Sequence, residues 1–122
     1  MSEAVTSARR QHAVETLAGR LRYLAPQEGG EAGRQDRQAV NSVIQGSAAD
    51  LLKCAMVGLW EELERWGCEI VLQIHDELDL EVPVGELEAA SELVRSTMEG
   101  VAQLKVPLIA EVSYGSNWAE AK

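Results

Sequence analysis

Three consecutive residues with acid–base or metal-ligand side chains, His75, Asp76 and Glu77, lie between two apolar stretches of the sequence. The stretch before them is rich in β-branched residues, and the stretch after them alternates acidic and apolar residues as far as Pro83. Alternation with a period of two predicts a half-buried strand, and a polar pair between two such runs predicts a tight hairpin. We therefore expect antiparallel strands with His75 and Asp76 at the tip, where a carboxylate can reach a cation in solvent.

The register of this hairpin decides where the neighbouring acids point. A two-residue turn opposes Ile74 with Glu77, Gln73 with Leu78, and Leu72 with Asp79. Because directly opposed side chains share a face, one face is expected to carry Val71, Leu78 and Leu80. The other face is expected to mix acidic and apolar residues: Glu77, Asp79, Glu81, Ile70, Leu72 and Ile74. A three-residue loop would separate the apolar and acidic rows more cleanly, but we favour the shorter turn.

A second set of polar residues has the spacing of one helical face. Arg37, Asn41 and Gln45 recur every four residues, which aligns them along a helix. An ordinary polar face and a surface that hydrogen-bonds bases and sugars both fit this pattern. Arg20 and Arg22 are expected in an exposed, extended segment. For them, residue types alone favour a solvated basic turn over a phosphate contact.

The elements that would position these residues follow from local patterns. A helix is expected over residues 4–18, with Val14 and Leu17 on one face and Gly19 as its stop. A loop is expected over residues 25–33, which are rich in Pro and Gly. The next helical region begins near residue 35 and is interrupted at Gly46.

A strong helix is then expected from Ser47 to Trp66, with Ser47 and Asp50 resembling a capping pair and Gly67 closing the helix. After the hairpin, residues 86–101 predict an amphipathic helix and residues 107–113 a third strand. The chain is expected to end in a turn with an aromatic plug. These elements predict an α+β fold, in which a small antiparallel sheet, the central hairpin plus a C-terminal strand, packs on two main helices.

Size and composition indicate an ordinary globular protein. The chain has 122 residues, of which 46% are hydrophobic, and this predicts a single domain. Within it, residues 1–34 would form the N-terminal helix and basic loop, and residues 35–122 the helix–hairpin–helix–strand core. No stretch resembles a membrane span or a signal peptide. A cytoplasmic location is therefore expected, with Cys54 and Cys68 as reduced, buried thiols.

The net charge of −9 is unevenly distributed along the chain. Residues 1–53 hold seven Lys or Arg and six Asp or Glu, whereas residues 54–122 hold four and fourteen. A free-standing nucleic-acid binder is usually basic, so composition alone argues against one. The acidic half would repel phosphates unless metal ions intervene.

Four blocks of the sequence together resemble the C-terminal end of a family A (polymerase I-like) DNA polymerase. They are residues 15–24 (ETLAGRLRYL), 36–50 (DRQAVNSVIQGSAAD), 73–78 (QIHDEL) and 114–122 (YGSNWAEAK). The blocks occur in the family's order and spacing and cover nearly the whole chain. The resemblance implies that the chain forms part of a polymerase palm. Its partners would be primer–template DNA and a deoxynucleoside triphosphate. Its location would be cytoplasmic, and associated with the nucleoid in a bacterium or phage.

The resemblance also implies roles for the candidate residues. Asp76 matches the palm aspartate of the third polymerase motif, a ligand of two catalytic Mg²⁺ ions, which prefer oxygen ligands. Glu77 would be a supporting acid, and His75 would contact the primer end. The helical face that carries Arg37, Asn41 and Gln45 would contact template and primer near the newly formed base pair. Arg20 and Arg22 would contact the nucleic-acid backbone.

The sequence departs from the family pattern in ways that limit this expectation. Asp79 occupies a position that is usually apolar, Val43 replaces a usual proline, and Asp36 a usual glutamate. A second metal-binding aspartate and the fingers helix that binds the incoming nucleotide have no counterpart. Since one carboxylate cannot fix two divalent ions, we expect no DNA extension by this chain alone and a need for the N-terminal polymerase part.

Two other functions remain open on the sequence. The chain could be a non-catalytic remnant that binds DNA weakly through Arg20, Arg22 and Arg37, in which case binding would depend on salt and not on Asp76. It could also be a protein-interaction domain whose apolar sheet face docks on a partner.

Overall fold

Two antiparallel hairpins and three helices form the part of the chain that the structure describes, and the expected α+β class is confirmed. The structure is a computed structural model, and it describes residues 3–25 and 32–121. In chain order the elements are α1 (Glu3–Gln11), β1 (Ala13–Glu15), β2 (Leu21–Tyr23), α2 (Ala32–Arg65), β3 (Glu69–Ile74), β4 (Glu77–Glu81) and α3 (Leu87–Gly100). The chain divides into two compact units, Met1–Asp50 and Leu51–Lys122.

The first helix ends at Gln11, so the helix predicted over residues 4–18 is wrong in its second half. His12 has a φ of 51°, in the left-handed region, and the chain reverses immediately after α1. The next residues form β1, which pairs antiparallel with β2. Val14 and Thr16 are buried, and β-branched side chains favour an extended backbone. Strand pairing, together with hydrogen bonds from Thr16 and Leu17 to the distant residues Asp50 and Ser47, therefore overrides the local helical pattern.

The turn between β1 and β2 contains Gly19, whose φ is 83°. Gly19 was expected to stop a helix, but it lies in a hairpin turn, where its N–H donates to the Thr16 carbonyl at 2.9 Å. Leu17, expected on the same helical face as Val14, is 68% exposed, while Val14 is buried. The hairpin thus separates two residues that a helix would have placed together.

The core of the first unit is small. Its buried cluster has four members, Ala8, Val14, Leu24 and Ala39. Ala4 and Val43 pack against this cluster and are partly buried. The two buried alanines, one on α1 and one on α2, are short enough for close contact between packed elements.

The second helix runs without a break from Ala32 to Arg65, so the interruption expected at Gly46 is wrong. A Cβ atom at Gly46 would lie 2.7 Å from Cγ2 of Thr16. Glycine is therefore present because the β1–β2 turn approaches the helix closely. Helix propensity alone had suggested a break, since glycine is unfavourable in a helix interior.

Ser47 and Asp50 bond to the β1–β2 turn, so their interpretation as a capping pair is wrong. Ser47 Oγ accepts a hydrogen bond from the Leu17 N–H at 2.9 Å. Asp50 accepts one from Thr16 Oγ1 at 2.6 Å, and its other oxygen pairs with the Arg20 guanidinium at 2.9 Å. These bonds fasten the turn to the side of α2.

The C-terminus of α2 is closed by Gly67, as the sequence predicts. Gly67 has a φ of 67°, which costs glycine little. Its N–H donates to the Glu64 carbonyl at 3.1 Å, and the Cys68 N–H donates to the Leu63 carbonyl at 2.9 Å. This pair of bonds is a Schellman motif, and it turns the chain directly into β3.

The hairpin of β3 and β4 has the predicted two-residue turn. Ile74 pairs with Glu77, Gln73 with Leu78, and Leu72 with Asp79. Beyond these pairs a bulge at Val71 shifts the register, so that Ile70 pairs with Leu80. The predicted faces are therefore wrong for two residues: Ile70 joins Leu80 and Leu78 against the core, whereas Val71 is 51% exposed.

The core of the second unit lies between α2, α3 and one face of this hairpin. Its buried members are Leu59, Leu63, Cys68, Ala90 and Val94. The hairpin contributes three partly buried residues to the cluster, Ile70, Leu78 and Leu80. The amphipathic helix predicted over residues 86–101 is confirmed as α3, which follows a single 3₁₀ turn, Val84–Glu86.

The strand predicted over residues 107–113 is wrong, because this segment, which is fully described, has no regular secondary structure. A hydrogen bond connects this segment to α3: the Ala110 N–H donates to Glu99 Oε1 at 3.0 Å. Ile109 is 74% exposed, and Tyr114 and Trp118 are also exposed. The expected aromatic plug is therefore wrong as well. A strand requires a ladder partner, and none pairs here.

The two cysteines, the predicted loop and the predicted absence of a membrane span remain to be compared with the structure. Cys68 is buried as expected, but Cys54 is exposed, and both are free thiols. Residues 26–31 of the predicted loop lie outside the described part of the chain, and α2 already begins at Ala32. Among the helices of the described residues, none is long and apolar enough to cross a membrane.

Candidate active site

The turn between β3 and β4 presents Asp76 to solvent. His75 and Asp76 are the two turn residues, and both are exposed. His75 has a φ of 52°, as required by the mirror-image turns that match the twist of paired strands. The Gln73 side-chain amide donates to the His75 carbonyl oxygen at 2.9 Å. The tip is thus braced by a neighbouring side chain, and its carboxylate projects from a defined backbone.

The first residue of β4, Glu77, has a hydrogen-bond partner far away in the sequence. Trp118 Nε1 donates to Glu77 Oε1 at 3.3 Å. Both residues belong to the second unit, and both are exposed. The contact connects the C-terminal turn to the strand that follows Asp76.

A second acid on β4, Asp79, lies two residues beyond Glu77 and is partly buried. Its Oδ2 is the one buried side-chain N or O atom without a hydrogen-bond partner among the described residues. Loss of solvent around the carboxyl raises the pKa of Asp79 most. A hydrogen bond that the protonated Asp79 carboxyl donates to Glu77, and charge repulsion from Glu77, raise this pKa further. The strand therefore carries two neighbouring acids that resist holding two charges at once.

The tip has the chemistry of a partial magnesium site. Mg²⁺ takes hard oxygen ligands and is usually bound through one or two carboxylates plus substrate phosphates, so an exposed Asp76 carboxylate fits one ligand position. Among the described residues, no group of three or more His, Cys, Asp or Glu side chains could hold a metal by itself. Any complete site would need ligands from substrate or from elsewhere.

The three polar residues expected along one helical face lie on α2 within the first unit. Arg37, Asn41 and Gln45 lie on this helix and are exposed. Arg37 and Asn41 also line a groove of about 360 Å³, together with Val5, Asp36, Val40 and Ile44. Ile44 is 59% exposed. The face thus alternates hydrogen-bonding groups with apolar ones.

The two basic residues of the first hairpin differ in their surroundings. Arg20 is engaged by its own unit, since its guanidinium pairs with Asp50 at 2.9 Å and donates to the Gly46 carbonyl at 3.2 Å. Its side chain is still 52% exposed. Arg22, on β2, is exposed. The structure therefore gives Arg20 a role in fastening the hairpin that sequence reasoning missed.

Two further residues were missed as parts of the site. Gln73 was assigned only to a strand and Trp118 to a plug, although each holds a neighbour of Asp76. The Gln73 bond involves a backbone carbonyl, and the Trp118 bond spans 41 residues. Neither contact produces a periodic pattern that sequence could reveal.

Comparison with known proteins places a chain of this fold among the DNA polymerases. The chain belongs to DNA polymerase family A, whose family model matches residues 1–120. The resemblance that the four sequence blocks indicated is confirmed.

Individual relatives agree with this assignment. The chain is 43% identical over its whole length to the thermostable DNA polymerase I of Thermus aquaticus, of which it covers 15%. It is 46% identical over its whole length to DNA polymerase I of Streptococcus pneumoniae, of which it covers 14%. It is also 45% identical over 89% of its length to DNA polymerase I of Deinococcus radiodurans, of which it covers 12%. The chain thus spans about one-seventh of the length of these relatives.

A solved structure has the same fold over almost all of the chain. It is the POL domain of Pol1 from M. smegmatis in complex with DNA primer-template and dNTP. The TM-score is 0.87 with 39% sequence identity, and the match covers 98% of this chain and 22% of that one.

Proposed function

We propose that this chain is the C-terminal palm part of a DNA-directed DNA polymerase, which adds nucleotides to a primer under the direction of a template. Family membership supports the reaction class. The observation that carries the proposal is the exposed Asp76 carboxylate at a braced two-residue hairpin tip.

In this proposal Asp76 is one ligand of the Mg²⁺ ions. When bound, Mg²⁺ would supply positive charge that stabilises the attacking and leaving oxygens of nucleotidyl transfer. The protein's contribution is positional: Asp76 offers oxygen ligands from a rigid turn, Glu77 supports them, and His75 contacts the primer end. The exposed tip leaves these side chains accessible to substrate.

The first unit supplies contacts to DNA. Arg37, Asn41 and Gln45 bind template and primer near the newly formed pair, with the exposed apolar residues between them packing against sugars. Arg22 and Arg20 contact the nucleic-acid backbone. Such phosphate and sugar contacts fix the position of a duplex without reading its sequence.

Catalysis requires the remainder of the polymerase. Phosphoryl transfer depends almost entirely on positioning and electrostatic stabilisation, and the described residues present no complete metal-binding group. The second metal-binding aspartate and the fingers therefore come from the N-terminal polymerase part. We refer to this chain together with that part as the assembled polymerase.

A complementation assay tests the proposal. Primer extension is measured with this chain alone, with the N-terminal part alone, and with both, in the presence of Mg²⁺ and all four deoxynucleoside triphosphates. We expect extension only with both parts. Failure of every matched N-terminal part to restore extension, although binding between the two is detected, would contradict the proposal.

Non-catalytic DNA binding is the second candidate, and the exposure of Arg22 and Arg37 favours it. Under this function the chain would shift primer–template DNA in a gel with strong salt dependence. Asp76→Ala would then leave the binding unchanged, and no N-terminal part would restore extension.

A further inference from the structure

The hydrogen bond from Trp118 to Glu77 assigns a function to the C-terminal turn. We propose that Trp118 is a positioning residue, which holds the Glu77 carboxylate beside the hairpin tip through its indole N–H. The observation is the 3.3 Å distance from Nε1 to Oε1 across 41 residues of sequence. The inference rests on the proposed function, since Glu77 acts there as the acid that supports Asp76.

The turn that carries Trp118 is held by its own backbone. The Glu120 and Ala121 N–H groups both donate to the Asn117 carbonyl at 3.1 Å. The Ser116 N–H donates to Glu120 Oε2 at 3.2 Å. A Cβ atom at Gly115 would lie 2.6 Å from Cβ of Glu120, so the entry to the turn is also packed closely. The indole is thus presented by a folded turn and not by a loose tail.

Burial does not explain the placement of Trp118. The residue is 59% exposed, and it is not a member of either hydrophobic core cluster. A tryptophan that served only to fill the core would bury more of its ring, since its hydrophobic contribution scales with the area removed from water. The recorded polar contact of the indole is the bond to Glu77.

An indole N–H suits this task because it donates without carrying charge. It is a donor only, so it orients the Glu77 carboxylate and leaves its negative charge intact. An arginine or lysine would neutralise that charge close to a site that attracts cations. Glu77 also lies near Asp79, whose pKa it raises through a hydrogen bond and charge repulsion, so the indole N–H fixes the carboxylate from a second side without adding charge.

The contact is tested first in the full chain by NMR. The indole N–H resonance of Trp118 is identified by its loss in Trp118→Phe. We expect Glu77→Ala to shift this resonance, whereas Glu81→Ala, which removes an acid from the far end of the same strand, leaves it in place. An unshifted resonance in Glu77→Ala overturns the inference.

The role is tested by steady-state primer extension with the assembled polymerase. Trp118→Phe keeps the ring and removes the N–H, and we expect it to lower kcat about tenfold with little change in the KM for nucleotide. Trp60→Phe, at an exposed tryptophan on α2, is the matched control and should have no effect. In a Glu77→Ala background, Trp118→Phe should cause no further loss.

The outcomes separate this inference from the proposed function. If Asp76→Asn leaves extension intact, the proposed function fails and the inference fails with it. If Asp76→Asn abolishes extension but Trp118→Phe leaves kcat unchanged, only the inference fails. A kcat loss from Trp118→Phe that persists undiminished in the Glu77→Ala background also overturns it, because the indole would then act through another group.

Discussion

At the scale of single residues, the partly buried acid Asp79 on β4 is expected to reduce stability when it is charged. It pairs with Leu72 across the hairpin, and its Oδ2 is buried without a hydrogen-bond partner. Desolvation and the nearby Glu77 raise the pKa of Asp79. A raised acid pKa means that the folded protein holds the proton more tightly than the unfolded chain does, so stability falls as pH rises through that range.

Replacing Asp79 with a residue that cannot ionise should therefore stabilise the chain most at neutral pH. We expect Asp79→Asn to increase the free energy of unfolding at pH 7, and the gain to shrink below the ordinary aspartate pKa of 3.8. Urea unfolding across this pH range measures the effect, with Glu81→Gln as an exposed control on the same strand. A gain independent of pH, or a loss at pH 7, would show that Asp79 does not carry the penalty.

The exposed arginines of the first unit should bind DNA through phosphate charge. Arg22→Gln and Arg37→Gln are each expected to weaken primer–template binding and to reduce the slope of log K against log salt by about one. Arg95→Gln, on α3, removes a charge that pairs with Glu92 and should leave the slope unchanged. Equal slopes in all three variants would contradict a specific DNA surface on α2 and the first hairpin.

At the scale of elements, the close approach of the first hairpin to α2 depends on a glycine within the helix. A Cβ at Gly46 would lie 2.7 Å from Cγ2 of Thr16, whereas one at Gly58 would meet Cγ2 of Thr97 at 3.5 Å, an ordinary contact. The same substitution should therefore have opposite effects at the two positions.

We expect Gly46→Ala to destabilise the chain by about 1–3 kcal/mol through overpacking, and Gly58→Ala to stabilise it by about 0.5–1 kcal/mol through helix propensity. Thr16→Ser removes the clashing methyl group but keeps the hydroxyl that bonds Asp50. The double variant should therefore recover part of the loss, as thermal or urea unfolding would report. If Gly46→Ala is as stable as the wild type, the described approach of hairpin and helix is incorrect.

The elements that sequence predicts well are those with a strong local pattern. The tip at His75 and Asp76 follows from a polar pair between a β-branched apolar run and an alternation of acidic and apolar residues, and the end of α2 follows from Gly67. The bulge at Val71 was missed because three consecutive apolar residues fit either face, and only contact with the core selects Ile70. The β1–β2 hairpin was missed because the bonds that fasten its turn, from Thr16 to Asp50 and from Leu17 to Ser47, link residues 34 and 30 positions apart and leave no local pattern.

The parts of the candidate site that the sequence predicts differ from the unpredicted parts in the same way. Residue type and spacing single out Asp76 and the α2 face, which the proposed function uses directly. Gln73, Trp118 and the engaged state of Arg20 depend on hydrogen bonds to distant partners or to backbone carbonyls. Sequence patterns report periodicity and chain reversal, and they do not report such contacts.

At the scale of the whole molecule, the charge distribution is compatible with binding DNA, a polyanion, only if cations are present. The chain has a net charge of −9, concentrated in the residues that surround the hairpin, while the α2 face and the first hairpin carry the exposed arginines. A carboxylate tip would repel DNA phosphates without divalent ions between them. This distribution is consistent with the proposed function, in which metal and substrate bind together. The chain spans 12–15% of the length of its relatives from Thermus aquaticus and Deinococcus radiodurans.

The central claim is that the Asp76 carboxylate takes part in nucleotidyl transfer. Its most direct test is the single-turnover rate of primer extension by the assembled polymerase with Asp76→Asn, which keeps the size and shape of an exposed side chain. We predict a fall of about a hundredfold or more with an unchanged unfolding midpoint, while Glu81→Gln extends at the wild-type rate. Wild-type extension by Asp76→Asn would contradict the account.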